Sequence, residues 1–282
     1  MLNRINKLLM MTQTETVTHL KDILSFAHKG EGYMIWSKTR SPKPMLCVHL
    51  DTINDVSNAR LDKLELDDTL RVLSLASDSK AKCLGGDDRA GLYIALELIT
   101  YMEETKDYKY DIGFFLDEEI GCLGSTNYLR HCSHNYDTTC YIGLDRRSPN
   151  GNQEIALYGF DNSKLTEIFE EYGYTPDMGS VTDASNLADE DTACINLSVG
   201  FDGEHTTKEV LYLSCMEETL NVLKEVNLGN THYHGKDYFN YGYDGFYYDG
   251  YTTAEEEYIE ELEARIEYLE SRLSIYEEVH YD

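Results

Sequence analysis

Ile112-Gly113-Phe114-Phe115-Leu116-Asp117-Glu118-Glu119-Ile120-Gly121 is the stretch on which the fold turns. An apolar run of strand type, 112–116, ends in three consecutive acids. Neighbouring side chains of a strand point to opposite faces. Glu118 and Glu119 therefore share one site only if the chain leaves the sheet there, and Gly121 permits such a turn. Two carboxylates at a strand end suit metal chemistry, one holding a cation and one moving a proton. Taken alone, the stretch reads as a solvated acidic loop, because charged strand ends usually face water. The neighbouring segments have to decide.

Other apolar runs end in the same way. Residues 45–50 (Met-Leu-Cys-Val-His-Leu) read as a short buried strand ending in Asp51-Thr52. Residues 140–144 (Cys-Tyr-Ile-Gly-Leu) read as another, ending in Asp145, and 193–199 as a third, leading to Gly200 and His205. Gly85-Gly86-Asp87-Asp88 is a turn before a helix at about 89–103, with Leu92, Ala95, Leu96 and Ile99 among its apolar positions. Strands are also expected at 70–75 and 154–158. Helices are expected at 12–28, 125–132, 164–172 and 207–226, the last opened by a Thr206/Glu209 capping box. Strands alternating with helical patterns predict an α/β sandwich with a mixed, largely parallel sheet.

The polar residues at these ends are His49 with Asp51, Asp87 with Asp88, Glu118 with Glu119, Asp145, and His205. Each has an ordinary role open to it. His49 could be a core histidine, Asp87 a helix cap, Asp145 a surface partner of Arg146-Arg147, and His205 a residue entering a helix. Five such sites in one structural place call for a common cause, and ligands of α/β sheets gather outside the carboxyl ends of the strands. Nitrogen and carboxylate donors without thiolates suit Zn²⁺, Mn²⁺ or Co²⁺. Three carboxylates and two histidines can hold two divalent ions about 3.5–4 Å apart. Asp51, two residues after His49, can orient its imidazole. An acid not used as a ligand can take a proton from water.

Six motifs carry a resemblance. They are His-Leu-Asp-Thr (49–52), Gly-Gly-Asp-Asp-Arg-Ala-Gly (85–91), Asp-Glu-Glu-Ile-Gly (117–121), Leu-Asp-Arg-Arg (144–147), Val-Thr-Asp-Ala (181–184) and Glu-His-Thr (204–206). Their ordered set resembles the co-catalytic dizinc exopeptidases, which include peptidase T, carboxypeptidase G-like enzymes and the bacterial leucine aminopeptidases. The resemblance implies a three-layer sandwich of the phosphorylase/hydrolase-like exopeptidase kind. It implies that His49 and Asp145 bind one metal, Glu119 and His205 the other, and that Asp87 bridges both. Glu118 becomes the general base and then the acid, Asp51 orients His49, and Asp183 matches a family Asp near the active site, a candidate for substrate binding. The family often has a cis peptide after the bridging Asp. Only 37 residues separate Asp145 from Asp183, too few for the lid or dimerisation domain of the larger members, so a compact form is expected.

The implied activity is metal-dependent hydrolysis of peptide bonds, an aminopeptidase action on short peptides, with two divalent ions, zinc before Mn or Co. Two alternatives stay open: a related N-acyl amide hydrolase or deacylase, and a non-catalytic structural or assembly protein on the same fold.

The 282 residues are 41% hydrophobic, ample for a core, and carry a net charge of −28. That charge argues against nucleic acid and anionic membranes as partners, and it attracts cations. The seven cysteines are scattered, without a Cys-x-x-Cys pair, and Cys47, Cys140 and Cys194 sit in apolar runs. Reduced, buried thiols in the cytoplasm are expected, and the first 11 residues lack the pattern of a signal peptide. The catalytic domain is expected at 12–228. A Tyr/Gly-rich linker follows at 229–253, since 230–251 holds seven of the 23 tyrosines without periodicity. In 254–280, Ile259, Leu262, Ile266, Leu269, Leu273 and Tyr276 fall at spacings of three and four. That pattern predicts an acidic coiled-coil helix and self-association through it. His131-x-x-His134 is read as a surface pair, His232-Tyr-His234 as a linker pair able to bind metal adventitiously, and no Gly-x-Ser-x-Gly elbow or Walker loop is present.

Overall fold

Strands that are apolar on both faces need cover on both sides. The computed structural model describes residues 1–235 and supplies that cover. In chain order the elements begin with α1 (Leu2–Leu9), α2 (Gln13–Ile23), β1 (His28–Gly30), β2 (Tyr33–Trp36), β3 (Lys43–His49) and α3 (Ile53–Val56). Next come β4 (Leu64–Asp67), β5 (Val72–Leu75), α4 (Gly86–Thr105), β6 (Asp111–Phe115), α5 (Leu123–His131) and β7 (Thr138–Arg146). The last are β8 (Glu154–Leu157), α6 (Ser163–Glu170), β9 (Thr175–Met178), α7 (Asp183–Leu187), β10 (Cys194–Ser198), β11 (Phe201–Asp202), β12 (Val210–Tyr212) and α8 (Leu213–Glu225).

Eight strands form one sheet in the order β1-β2-β6-β3-β7-β10-β8-β9. Its centre, β6, β3, β7 and β10, is parallel, and β2 and β8 join antiparallel on either side. Alternate side chains serve opposite faces. Leu46, Val48, Phe114 and Ile142 join the core under α4 and α8. Met45, Cys47, Phe115 and Tyr141 join a second core under α5 and α7. Helices thus cover both faces of the sheet in a three-layer α/β sandwich. Each fully buried Leu, Ile or Phe contributes about 1.5–3 kcal/mol of transfer free energy. α4 lies tight on β7: a Cβ on Gly91 would fall 1.9 Å from the Leu144 carbonyl oxygen. β3 has β6 on one side and β7 on the other, so the chain switches direction of travel across the sheet there. A crevice opens at such a switch, outside the carboxyl ends of the strands.

Several local expectations are corrected. The helix expected at 207–226 begins only at Leu213, because 210–212 form β12 in a second, antiparallel sheet of order β11-β12-β5-β4. The Thr206/Glu209 capping box does not form. Glu209 is buried and turns to the amino end of α4, accepting from the N–H groups of Gly85 (2.9 Å) and Asp87 (3.1 Å). Those N–H groups have no partner within α4. The helix expected over 12–28 stops at Ile23, opened by a Thr12/Glu15 capping box. The packed body also exceeds the expected 12–228. Ile5, Leu8 and Leu9 of α1 are buried, and so is Tyr233, whose N–H donates to the Thr139 carbonyl. The heptad segment 254–280 and most of the linker 229–253 lie outside the described residues. All seven cysteines are buried and unpaired. Among the described residues no helix is long and apolar enough to cross a membrane.

Arg89 opens the regular part of α4 and is fully buried. Its guanidinium donates to the carbonyls of Leu8 (3.2 Å), Leu50 (2.7 Å) and Met11 (3.0 Å), and Asp55 lies at 3.6 Å. Arg89→Met would remove all three bonds and strand the buried Leu50 carbonyl. We expect a loss of about 3–5 kcal/mol of unfolding free energy. An unchanged urea midpoint for that variant would refute the clamp.

Candidate metal centre

The carboxyl end of β3 carries His49, with Asp51 two residues on. The end of β7 carries Asp145, and the turn after β6 carries Glu118 and Glu119. Asp87 and Asp88 precede the regular part of α4 with non-helical backbone angles. The peptide between them is cis, as the resemblance implies. His205 comes from the turn between β11 and β12 of the small sheet, not directly from β10.

These residues converge. His49 Nε2 lies 2.8 Å from Asp87 Oδ1 and 3.4 Å from Asp145 Oδ1. His205 Nε2 lies 3.1 Å from Asp87 Oδ2 and 3.0 Å from Glu119 Oε2. The two oxygens of Asp87 thus face two different sets of donors. Asp51 sits behind them, its Oδ1 3.4 Å from His49 Nδ1. Its two oxygens also accept from the N–H groups of Glu118 and Glu119, both at 3.0 Å. That pair of bonds lets two consecutive acids serve one site. Glu118 is half-buried, with the Cys122 thiol 3.8 Å from its Oε1.

Acids outnumber cations here. Burial pushes Glu118 up to about 9 and Asp145 up to about 6, with neighbouring carboxylates adding to both. Burial likewise raises Glu119 and, more strongly, Asp88. His205 is raised to about 11 by its hydrogen bonds to Asp87 and Glu119. Burial opposes the charge of His49, yet Asp145 and the bonds to Asp51 and Asp87 lift it well above its usual range. Burial alone would raise Asp87, but the bonds from His205 and His49 outweigh it and hold the carboxyl down. A surplus of buried carboxylates of this kind is what bound cations neutralise. Glu119 Oε1 is buried without a hydrogen-bond partner. Two groups, His49/Asp87/Glu119 and His49/Asp88/Asp145, bring potential ligand atoms within 4.8 Å of one another. Imidazole and carboxylate donors without thiolate fit a divalent transition metal.

Residues 35–234 match the family model of peptidase family M28. The chain belongs to that family. No curated protein matches it in sequence. Among solved structures, PhTET1-12s, a dodecamer, is similar with a TM-score of 0.62 and 13% identity, over 79% of this chain and 98% of its own. Aminopeptidase PepT from Bacillus cereus gives 0.59 and 15%, over 79% and 95%. A TET aminopeptidase from a marine sediment Thaumarchaeota archaeon gives 0.60 and 10%, over 80% and 97%. At these identities the likeness establishes the fold alone. The M28 chain is compact, with only β8, α6 and β9 between Asp145 and the helix α7 that Asp183 opens.

Thr182, Asn196 and Glu209 support the M28 site and escape sequence reasoning, and Asp88, paired with Asp87 in the sequence, has a role there that the sequence does not assign. Asp88 is fully buried and accepts from the N–H groups of Gly91 (2.9 Å) and His49 (3.3 Å). Two adjacent acids carry no sign of which faces the site. Thr182 donates its hydroxyl to Asp145 Oδ2 at 2.8 Å. Asn196 Oδ1 accepts from the Asp145 N–H at 2.9 Å, and a Cβ on Gly143 would fall 2.6 Å from that oxygen. A lone Asn inside the apolar run Cys-Ile-Asn-Leu-Ser was the available signal. Glu209, holding the Asp87 turn, is pushed up to about 8 by burial.

Asp183 lies beside the centre but does not reach solvent. Both its oxygens are buried without a hydrogen-bond partner, and burial pushes the carboxyl up to about 7. Asp145 is no surface ion-pair residue, since Arg146 pairs instead with Glu154 (2.7 Å) and Asp177. His131 and His134 join no group of potential ligands among the described residues. His232 pairs with Asp137 at 3.2 Å.

Proposed function

We propose that the chain is a two-metal exopeptidase, an aminopeptidase acting on short peptides. The observation that carries this reading is the double facing of Asp87, Oδ1 toward His49 and Oδ2 toward His205. His49 and Asp145 would hold one divalent ion, Glu119 and His205 the other, and Asp87 both. Zinc suits the donors best, with Mn or Co as substitutes. When bound, such ions polarise the scissile carbonyl and make water acidic near neutral pH. The protein's own residues do the rest. Asp51 fixes the imidazole of His49 and, through two N–H bonds, the direction of the Glu118/Glu119 turn. Glu118 takes a proton from the attacking water on a carboxylate oxygen and returns it to the leaving amine nitrogen. Its half-buried position leaves the carboxylate within reach of solvent.

Self-association through 254–280 is the remaining part of this proposal and rests on the heptad pattern alone. The deciding experiment compares short peptides with free amino ends, N-acyl amino acids and aminoacyl reporters. Turnover of the free-amine substrates, lost with chelator and restored by Zn²⁺, is expected. Turnover confined to N-acyl substrates would make it a deacylase. No metal-dependent turnover of any of them would favour a structural role.

A further inference from the structure

Asp117 has no part in holding metal or moving protons, yet the active turn pivots on it. Its φ is +61°, a left-handed conformation that residues with a side chain keep only when their surroundings hold them there. The two N–H groups that follow it both reach Asp51. Gln13 grips Asp117 from outside. Gln13 Nε2 donates to Asp117 Oδ1 at 2.9 Å, and Gln13 Oε1 accepts from the Asp117 N–H at 3.2 Å. The Gln13 N–H donates to Asp55 Oδ1 at 2.9 Å, and Asp55 Oδ2 accepts from the Thr52 hydroxyl at 3.0 Å. One residue therefore ties the turn after β3 to the turn after β6, and these turns carry Asp51, Glu118 and Glu119. Arg89 fastens the preceding segment through the Leu8 and Met11 carbonyls. The segment precedes residues 35–234, where the family match lies.

We propose that Gln13 is a positioning residue for the metal centre: its amide clamps Asp117 so that Glu118 and Glu119 stay aligned on Asp51. The proposal rests on the two-metal reading above. Gln13 and Asp117 are both half-buried, so water can satisfy the groups left by truncation. The fold survives the loss of this clamp, while the aim of the turn does not.

The test uses the full chain and Gln13→Ala, with Asp117→Ala and Asp117→Asn beside it. In Gln13→Ala and Asp117→Ala, kcat should fall about ten- to a hundred-fold with KM little changed. Zn²⁺ titration against a chromophoric chelator should show one equivalent held about tenfold more weakly. The melting temperature should move by no more than about 4 °C. Asp117→Asn offers Gln13 the same acceptor oxygen and the same N–H, and should behave as wild type. Wild-type kcat and Zn²⁺ affinity in Gln13→Ala would overturn the proposal. So would an equal loss in Asp117→Asn, or a loss that follows a large fall in melting temperature. A wild-type protein without turnover would sink the peptidase reading instead, and the Zn²⁺ arm would still decide the role of Gln13.

Discussion

Glu118→Gln is expected to abolish peptide hydrolysis while the metal content stays at the wild-type level. The substitution keeps the size of the side chain and the backbone N–H that donates to Asp51. It removes only the capacity to accept a proton. Glu118 lies next to the proposed ligand Glu119, but its own Oε1 accepts from the Cys122 thiol at 3.8 Å. General acid–base groups supply about 10²–10⁴ in rate, so kcat should fall by at least that range's lower end, with KM little affected. Steady-state kinetics with elemental analysis of the same sample checks both halves. Full activity in Glu118→Gln would remove the residue from the mechanism. Loss of metal would move it into the ligand set.

The second large effect concerns the bridge. Asp87→Ala removes the one carboxylate that faces both donor groups, and both ions should be lost together with activity. His205→Ala removes a donor from one group only, so about one equivalent of metal should remain of the two a co-catalytic site holds. His205 is 47% exposed at its side chain, so its loss should cost little stability. Zinc per chain, measured after dialysis against chelator-treated buffer, distinguishes the two variants. Unchanged metal content in His205→Ala would refute its role as a ligand. Equal depletion in both would refute the division into two sites.

Much of the architecture was legible in local patterns. The central strands are apolar at consecutive positions because both faces of the sheet are covered, and their bounds depart from expectation by only a few residues. The gathering of His49, Asp87, Glu118, Glu119 and Asp145 was legible too, because each follows a strand or opens a helix at the same edge, whereas His205 reaches it from the second sheet. The misreadings have a shared origin. Thr206 and Glu209 have the spacing of a capping box, but Glu209 meets the amino end of α4, more than 120 residues away in sequence. Residues 210–212 look helical in isolation, and pairing with β5 makes them a strand. The first 11 residues carry no pattern that foretells a role in the core, yet Leu2–Leu9 pack as α1 against α4.

The chain by itself determined the α/β class, the set of strand ends and the chemical type of the donors. Strands covered on both faces are apolar at consecutive positions and acids follow those runs, and both are properties of consecutive residues. Only the tertiary structure decided which oxygen of Asp87 faces which histidine, that Asp88 is buried beside the site, and that Asp183 is closed off from solvent. It alone joined Gln13 to Asp117 across 104 residues. The physical reason is the same in each case. A buried polar group must find a partner, and where that partner comes from depends on how distant segments pack, which no local spacing records.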